Sequence, residues 1–122
     1  LDRRVRPGTG NIGRGPAMTL EEAVRAIEVG VALARERAGG GVELLGIGEM
    51  GIGNTTASSA IVSALTGIVP AEVTGRGTGI DDETWRRKVS IIERALEVNR
   101  PHADEPLDVL AKVGGLEIAG LC

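Results

Sequence analysis

The stretch VELLGIGEMGIGNTTASSA, residues 42–60, constrains the fold more than any other. VELLGIG is a short apolar run with strand character, the only convincing one in the chain. It enters a loop with glycines at 46, 48, 51 and 53, and Asn54 or Thr55 then opens a helix of small side chains. Strand, glycine loop and helix form a unit of layered α/β folds. Gly46, Gly48 and Gly51 also fit G-x-G-x-x-G, a fingerprint of dinucleotide sites. The fit is poor, because the helix begins past the third glycine and no second strand ending in an acidic ribose ligand follows. A Rossmann-type dinucleotide binder stays open as an alternative.

The physics of an anion site is present in any case. The first N–H groups of a helix lack intrahelical acceptors and lie at the positive end of its dipole. The other three helix starts carry acids: Glu21 and Glu22, then Asp81, Asp82 and Glu83, then Asp104 and Glu105. The start at NTTASSA carries none, and the Thr55 and Thr56 hydroxyls add donors. A phosphate-binding helix start is the functional reading; a tight turn that needs glycine for its backbone freedom is the plain one. Glu49 stands in the middle of this loop. A carboxylate beside a phosphate is repulsive unless a positive centre lies between them, and a cationic sugar or charged heterocycle would supply one. The alternative is a strand-end carboxylate paired with a nearby arginine.

A second glycine loop, TGRGTGIDD, holds Arg76, Gly77 and Thr78 and is either an anion-binding nest or a connector. Lys88, on the helix that follows, flanks the buried stripe and leans toward this loop, with Arg87 read as pointing to the opposite side. A lysine so placed is either a ligand or a snorkelling stem. His102 is the only histidine and has no cysteine or second histidine nearby, so neither a metal site nor a catalytic triad is indicated.

Along the chain, residues 1–18 read as a glycine-rich loop. Thr19 and Glu22 have capping-box spacing before a helix with Leu20, Val24, Ile27, Val31 and Ala34 at helical period, stopped by Gly39–Gly41. The helix at Asn54 or Thr55 carries Ala57, Ala60, Ile61, Ala64 and Leu65 on one face and ends at Gly67. A short helical piece precedes the second loop. Asp81 or Asp82 starts a helix with Trp85, Val89, Ile92 and Leu96 inward. A short one follows from Pro106, with Leu107 and Leu110 inward. The fold class is α/β: part of a parallel sheet flanked by helices, a Rossmann-like layered fold, helix-rich in this chain. One strand makes no sheet. Together with a start at Leu1 and an apolar pattern still opening at VGGLEIAGLC, this marks residues 1–122 as a single partial domain, an internal portion of a longer protein.

With no Phe or Tyr and a lone Trp, the core must be built from Leu, Ile, Val and Ala. The net charge of −3 and the lack of aromatics beside the arginines near the N-terminus argue against nucleic acid. Cys122 is the only cysteine, so no intrachain disulfide forms, which fits a cytoplasmic protein. No run is long and apolar enough to span a membrane, and no signal peptide is evident.

Taken in order, GTGNIGRGPAM, GEMGIGNTTASSAI, ALTG, GRGTGIDD, RRKVSIIERAL and PLDVLAKVGGLEIAG resemble the nicotinate-nucleotide–dimethylbenzimidazole phosphoribosyltransferase family of cobalamin biosynthesis. The pairing of GEMGIGNTT with GRGTG is the specific part. The resemblance implies a parallel sheet flanked by helices, a homodimer, and no metal or organic cofactor. It implies transfer of 5-phosphoribosyl from nicotinate mononucleotide to dimethylbenzimidazole. It further implies that Gly51, Gly77 and Lys88 hold the nucleotide phosphate, that Gly53, Asn54, Thr55 and Thr78 shape the same pocket, and that Glu49 stabilises the developing sugar cation. The glutamate that serves as general base in the family falls outside this chain, as does much of its benzimidazole pocket. The chain alone is therefore expected to be inactive. A non-catalytic phosphate-binding module is the remaining alternative.

Overall fold

Among the described residues six helices follow one another: α1 (Leu20–Gly39), α2 (Thr55–Thr66), α3 (Pro70–Val73), α4 (Asp82–Asn99), α5 (Pro106–Val113) and α6 (Leu116–Leu121). They come from a computed structural model that describes residues 2–77 and 79–122. Thr78 lies outside the described residues. The helix boundaries follow local chemistry. Thr19 and Glu22 close the capping box at α1, Asp81 caps α4 through the Thr84 N–H, and Gly67 ends α2 with φ +71°.

The eight-residue α5 ties two clusters together. Leu110 and Ala111 pack with Ala17, Met18, Ala23, Ala26 and Ala119. Val109 and Val113 pack with Ala60, Ile92 and Ala95. The first cluster is mostly alanine, so its helices approach closely, as a chain nearly free of aromatics requires. The loop before α1 is stitched onto the helices through backbone groups. Ala17 N–H donates to Lys112 O at 2.9 Å and Met18 N–H to Ala111 O at 3.0 Å. Asn99 Nδ2 donates to Ile12 O at 2.7 Å, and Arg94 Nε donates to Gly13 O at 2.9 Å.

Three expectations need correction. Residues 42–48 form no strand, and no strand occurs among the described residues. This run is extended and exposed, with Leu44 at 90% and Ile47 at 68% of their full accessibility, because a strand exists only against a partner edge. On α1 the buried residues are Ala23 and Ala26, whereas Leu20, Val24 and Val31 are exposed. The apolar stripe is real, but among the described residues only Ile27 of it packs against the core, at the edge of the first cluster. Leu107 is likewise exposed, and Val109 and Val113 take the inward positions on α5. A sixth helix forms beyond Gly114 and Gly115, in the run where the sequence shows an apolar pattern opening but no assigned element. No helix among the described residues is long and apolar enough to cross a membrane.

The tightest crossing is that of α1 over α6. A methyl group on Gly30 would stand 3.0 Å from the Gly120 carbonyl carbon and closer still to its oxygen. Gly30→Ala is expected to destabilise the fold by about 1–3 kcal/mol through overpacking, against a helix-propensity gain of about 1 kcal/mol. Denaturant unfolding checks this, with Gly39→Ala, whose added methyl meets open space, as a neutral or stabilising control.

Candidate functional site

Three segments distant in sequence meet at the N-terminus of α2. Gly51 and Gly53 adopt φ +81° and +77°, a left-handed geometry that lets the chain double back before the helix. The second glycine loop lies beside it, with Gly77 at φ +56° and close to the Thr55 hydroxyl. From α4, Lys88 Nζ donates to Thr55 Oγ1 at 2.9 Å and to Gly75 O at 3.2 Å. These segments enclose a cleft of about 570 Å³.

The electrostatics of this cleft have one sign. Arg76, Arg87 and Lys88 line it, and no carboxylate does among the described residues. The first turn of α2 holds no acid and its Asn54 makes no side-chain cap. Among the described residues, no acceptor engages the N–H groups of Thr55, Thr56 or Ala57. Thr55 Oγ1 accepts from Lys88, and its hydroxyl proton remains available as a donor. Arg76 is restrained by the Asp82 carboxylate and by Ile80 O at 3.1 Å, and it lies over the Trp85 ring, 5.9 Å from its centroid. Arg87 makes no ion pair among the described residues and is exposed.

A second cleft of about 430 Å³ adjoins the first, sharing Ile52 and Gly53. Glu49, Asn54 and Glu117 border it, with Arg6 on its rim. Arg6 is already paired with Glu22 at 3.0 Å. The two clefts are thus oppositely charged neighbours on either side of one glycine loop.

Of the sequence-derived site residues, the structure brings Gly51, Gly53, Thr55, Gly77 and Lys88 together around the first cleft. Glu49 and Asn54 line the second cleft, which meets the first at Ile52 and Gly53. The Gly51 N–H is occupied, since it donates to Glu49 Oε2. Gly51 therefore contributes a backbone bend to the cleft in this state, and its amide is not turned toward an outside anion. Arg87 lines the same cleft as Lys88, against the expectation that it points away. Positions 84, 87, 88 and 91 form one helical face, and this spacing would have revealed it. Among the described residues, no group of three His, Cys, Asp or Glu side chains is placed to hold a metal ion. The helix start at Thr55, well past Gly51, also departs from the dinucleotide arrangement, in which the third glycine opens the helix.

A family model described as "Phosphoribosyltransferase" matches residues 1–122. The chain belongs to this phosphoribosyltransferase family. It is 57% identical over 121 residues to a nicotinate-nucleotide–dimethylbenzimidazole phosphoribosyltransferase of Alkaliphilus metalliredigens, a match covering 99% of this chain and 35% of that protein. It is 60% identical to a protein of the same name from Geobacter metallireducens, covering 99% and 34%. The crystal structure of CobT from Thermus thermophilus superposes with a TM-score of 0.90 at 50% identity, covering 98% of this chain and 36% of that one. The chain spans about a third of the length of the relatives it matches. Its glycine motifs thus identify the family, and the helix-rich architecture is that of the matching part of a solved member.

Within this family member, the cleft alters the ionisation of Lys88. Burial pushes its pKa below the ordinary lysine value of 10.5. The unfolded chain therefore holds this proton more tightly than the folded one. The resulting penalty is present at neutral pH and is relieved as pH rises through the folded pKa toward 10.5. Lys88→Met is expected to flatten this alkaline rise in unliganded stability, as pH-dependent unfolding would register. The same substitution is expected to weaken inorganic phosphate binding by at least about tenfold, the scale of one charge-assisted hydrogen bond, as calorimetry would measure.

Proposed function

We propose that this chain is the central, nucleotide-binding portion of a longer enzyme. That enzyme transfers 5-phosphoribosyl from nicotinate mononucleotide to 5,6-dimethylbenzimidazole, giving α-ribazole 5'-phosphate and nicotinate for the lower ligand of cobalamin. The names of its relatives supply the substrates. The observation that carries the reading in this chain is the pair of oppositely charged clefts across the Gly51–Gly53 loop. Nicotinate mononucleotide offers a phosphate dianion to the cationic cleft and, at its other end, a pyridinium nitrogen next to the sugar with the ring carboxylate beyond it.

In this proposal the phosphate enters the first cleft. It takes the N–H groups at the start of α2, the Thr55 hydroxyl and the Lys88 ammonium, with Gly77 giving it room. The sugar then crosses the glycine loop, which puts its anomeric carbon on the side of Glu49. The C–N bond to the pyridinium breaks, and its electron pair leaves with nicotinate. The benzimidazole nitrogen forms the new bond from the opposite face, with inversion. Positive charge spreads over the sugar as the old bond stretches, and a fixed carboxylate stabilises it. Glu49 serves this role once its bond to the Gly51 N–H is exchanged for one to the substrate. The proton of the incoming benzimidazole goes to a base outside these 122 residues, so the chain alone is inactive.

The uncovered apolar surfaces fit a larger whole. Residues 42–48 would pair into a parallel sheet, and the Leu20, Val24 and Val31 face would meet another part of the same protein. We further propose a cytoplasmic homodimer that needs no metal or organic cofactor.

Glu49→Gln in the full-length protein tests the reading. The turnover number is expected to fall by about 10²-fold, the usual loss on removing one preorganised electrostatic group, with KM for the mononucleotide and the melting temperature little changed. Unchanged transfer with altered stability would assign Glu49 a structural role. Tighter binding of NAD than of nicotinate mononucleotide would favour a dinucleotide site instead.

A further inference from the structure

Asn54 poses a problem. Asparagine is among the strongest helix-capping residues, contributing about 1 kcal/mol when its side chain accepts from the first turn. At the start of α2 it caps nothing. Both ends of its amide are held elsewhere. Nδ2 donates to Glu117 Oε1 at 2.9 Å, and Oδ1 accepts from Ser58 Oγ at 2.8 Å. Its backbone is already helical, φ −81° and ψ −38°, and not in the extended conformation that a capping residue adopts.

The position of Glu117 is itself specified. It lies at the start of α6, 63 residues from Asn54 in the chain. Its side chain folds back over Gly115. The three atoms nearest to a methyl group built on Gly115 all belong to the Glu117 carboxyl group, with Cδ at 2.7 Å. Gly115 has φ −138° and ψ 150°, extended backbone that any residue adopts. Glycine is thus used here to make space for one carboxylate, not for an unusual turn.

We propose that Glu117 is a positioning residue for the phosphate site. By holding Asn54 away from the first turn of α2, it keeps that helix start open to the substrate's phosphate. This inference rests on the phosphate reading above. The competing arrangement is specific. An asparagine released from Glu117 rotates its backbone to the extended region, and Oδ1 then accepts from the Thr56 or Ala57 N–H. Those are donors the phosphate would take, so self-capping competes directly with the ligand. Ser58 cannot prevent this alone, because its hydroxyl rotates freely to another acceptor. Glu117 also borders the acidic cleft, which makes direct action of its charge on the substrate the rival explanation.

The test uses Glu117→Ala, Glu117→Gln, Gly115→Ala and Lys88→Ala in the full-length protein, with steady-state kinetics and inorganic phosphate binding by calorimetry. Glu117→Ala is expected to raise KM for nicotinate mononucleotide and the phosphate Kd by about tenfold, near the worth of a hydrogen bond to a charged group, with kcat within about twofold. Glu117→Gln keeps an oxygen for Asn54 Nδ2 and should stay close to the parent protein. Gly115→Ala leaves every acid in place and displaces only the carboxylate, so it should reproduce Glu117→Ala even if that variant fails to fold. A Glu117→Gln variant as impaired as Glu117→Ala, or a Gly115→Ala variant with unchanged KM and Kd, overturns the proposal. Lys88→Ala separates the two readings. Its loss of phosphate binding with an unaffected Gly115→Ala sinks only the positioning role. Unchanged phosphate binding in Lys88→Ala sinks the phosphate site itself.

Discussion

The thinness of α2 governs what the rest of the structure can do. Its buried positions are Ser59, Ala60 and Ser63, small residues that let its neighbours approach, while the larger Ile61 packs at the edge of both clusters. The two serines do not strand polar atoms in the interior. Ser59 Oγ donates to Val73 O at 3.1 Å, and Ser63 Oγ to Ile68 O at 2.6 Å. These bonds draw the segment around α3 against the helix and fix where the second glycine loop begins. A larger residue at Ala60, which is fully buried against Ile92 and its neighbours, would separate α2 from α4. Lys88 could then no longer reach Thr55.

Charge is sorted over a short distance with little covalent apparatus. Glycines at 51 and 53 thin the loop between the clefts, and Ile52 between them borders both. Cations come from α4 and the loop before it. Acids come from the glycine loop and α6. Because opposite sides of this loop are furnished by different elements, each can be tuned without disturbing the other.

Most of the helical framework was legible in the sequence, since local signals set its boundaries. The capping box at Thr19, the Asp81 cap, Pro106 at the first position of α5 and Gly67 at the end of α2 all act within a few residues. The faces were less legible. Periodicity marks Leu20, Val24 and Val31 as apolar without saying what covers them, and among the described residues they stay exposed. The VELLGIG run has strand composition, but strand formation depends on a partner edge that composition cannot supply. At the candidate site, glycines, threonines and a lysine at a helix start were readable because they follow from backbone electrostatics. Arg87 was recoverable from helical spacing. Glu117 was not, because its bond to Asn54 depends on where α6 comes to rest against the loop.

Trp85 has a use beyond packing. It is the sole indole of the chain, half-buried, with its Nε1–H donating to Thr74 O at 2.8 Å and the Arg76 guanidinium over its ring. Indole emission shifts when a nearby charge moves or a hydrogen bond changes. Any rearrangement of the second glycine loop as a ligand settles displaces one of these two contacts. The chain thus carries an intrinsic optical reporter beside the cleft it would monitor, and occupancy can be followed in real time without a label.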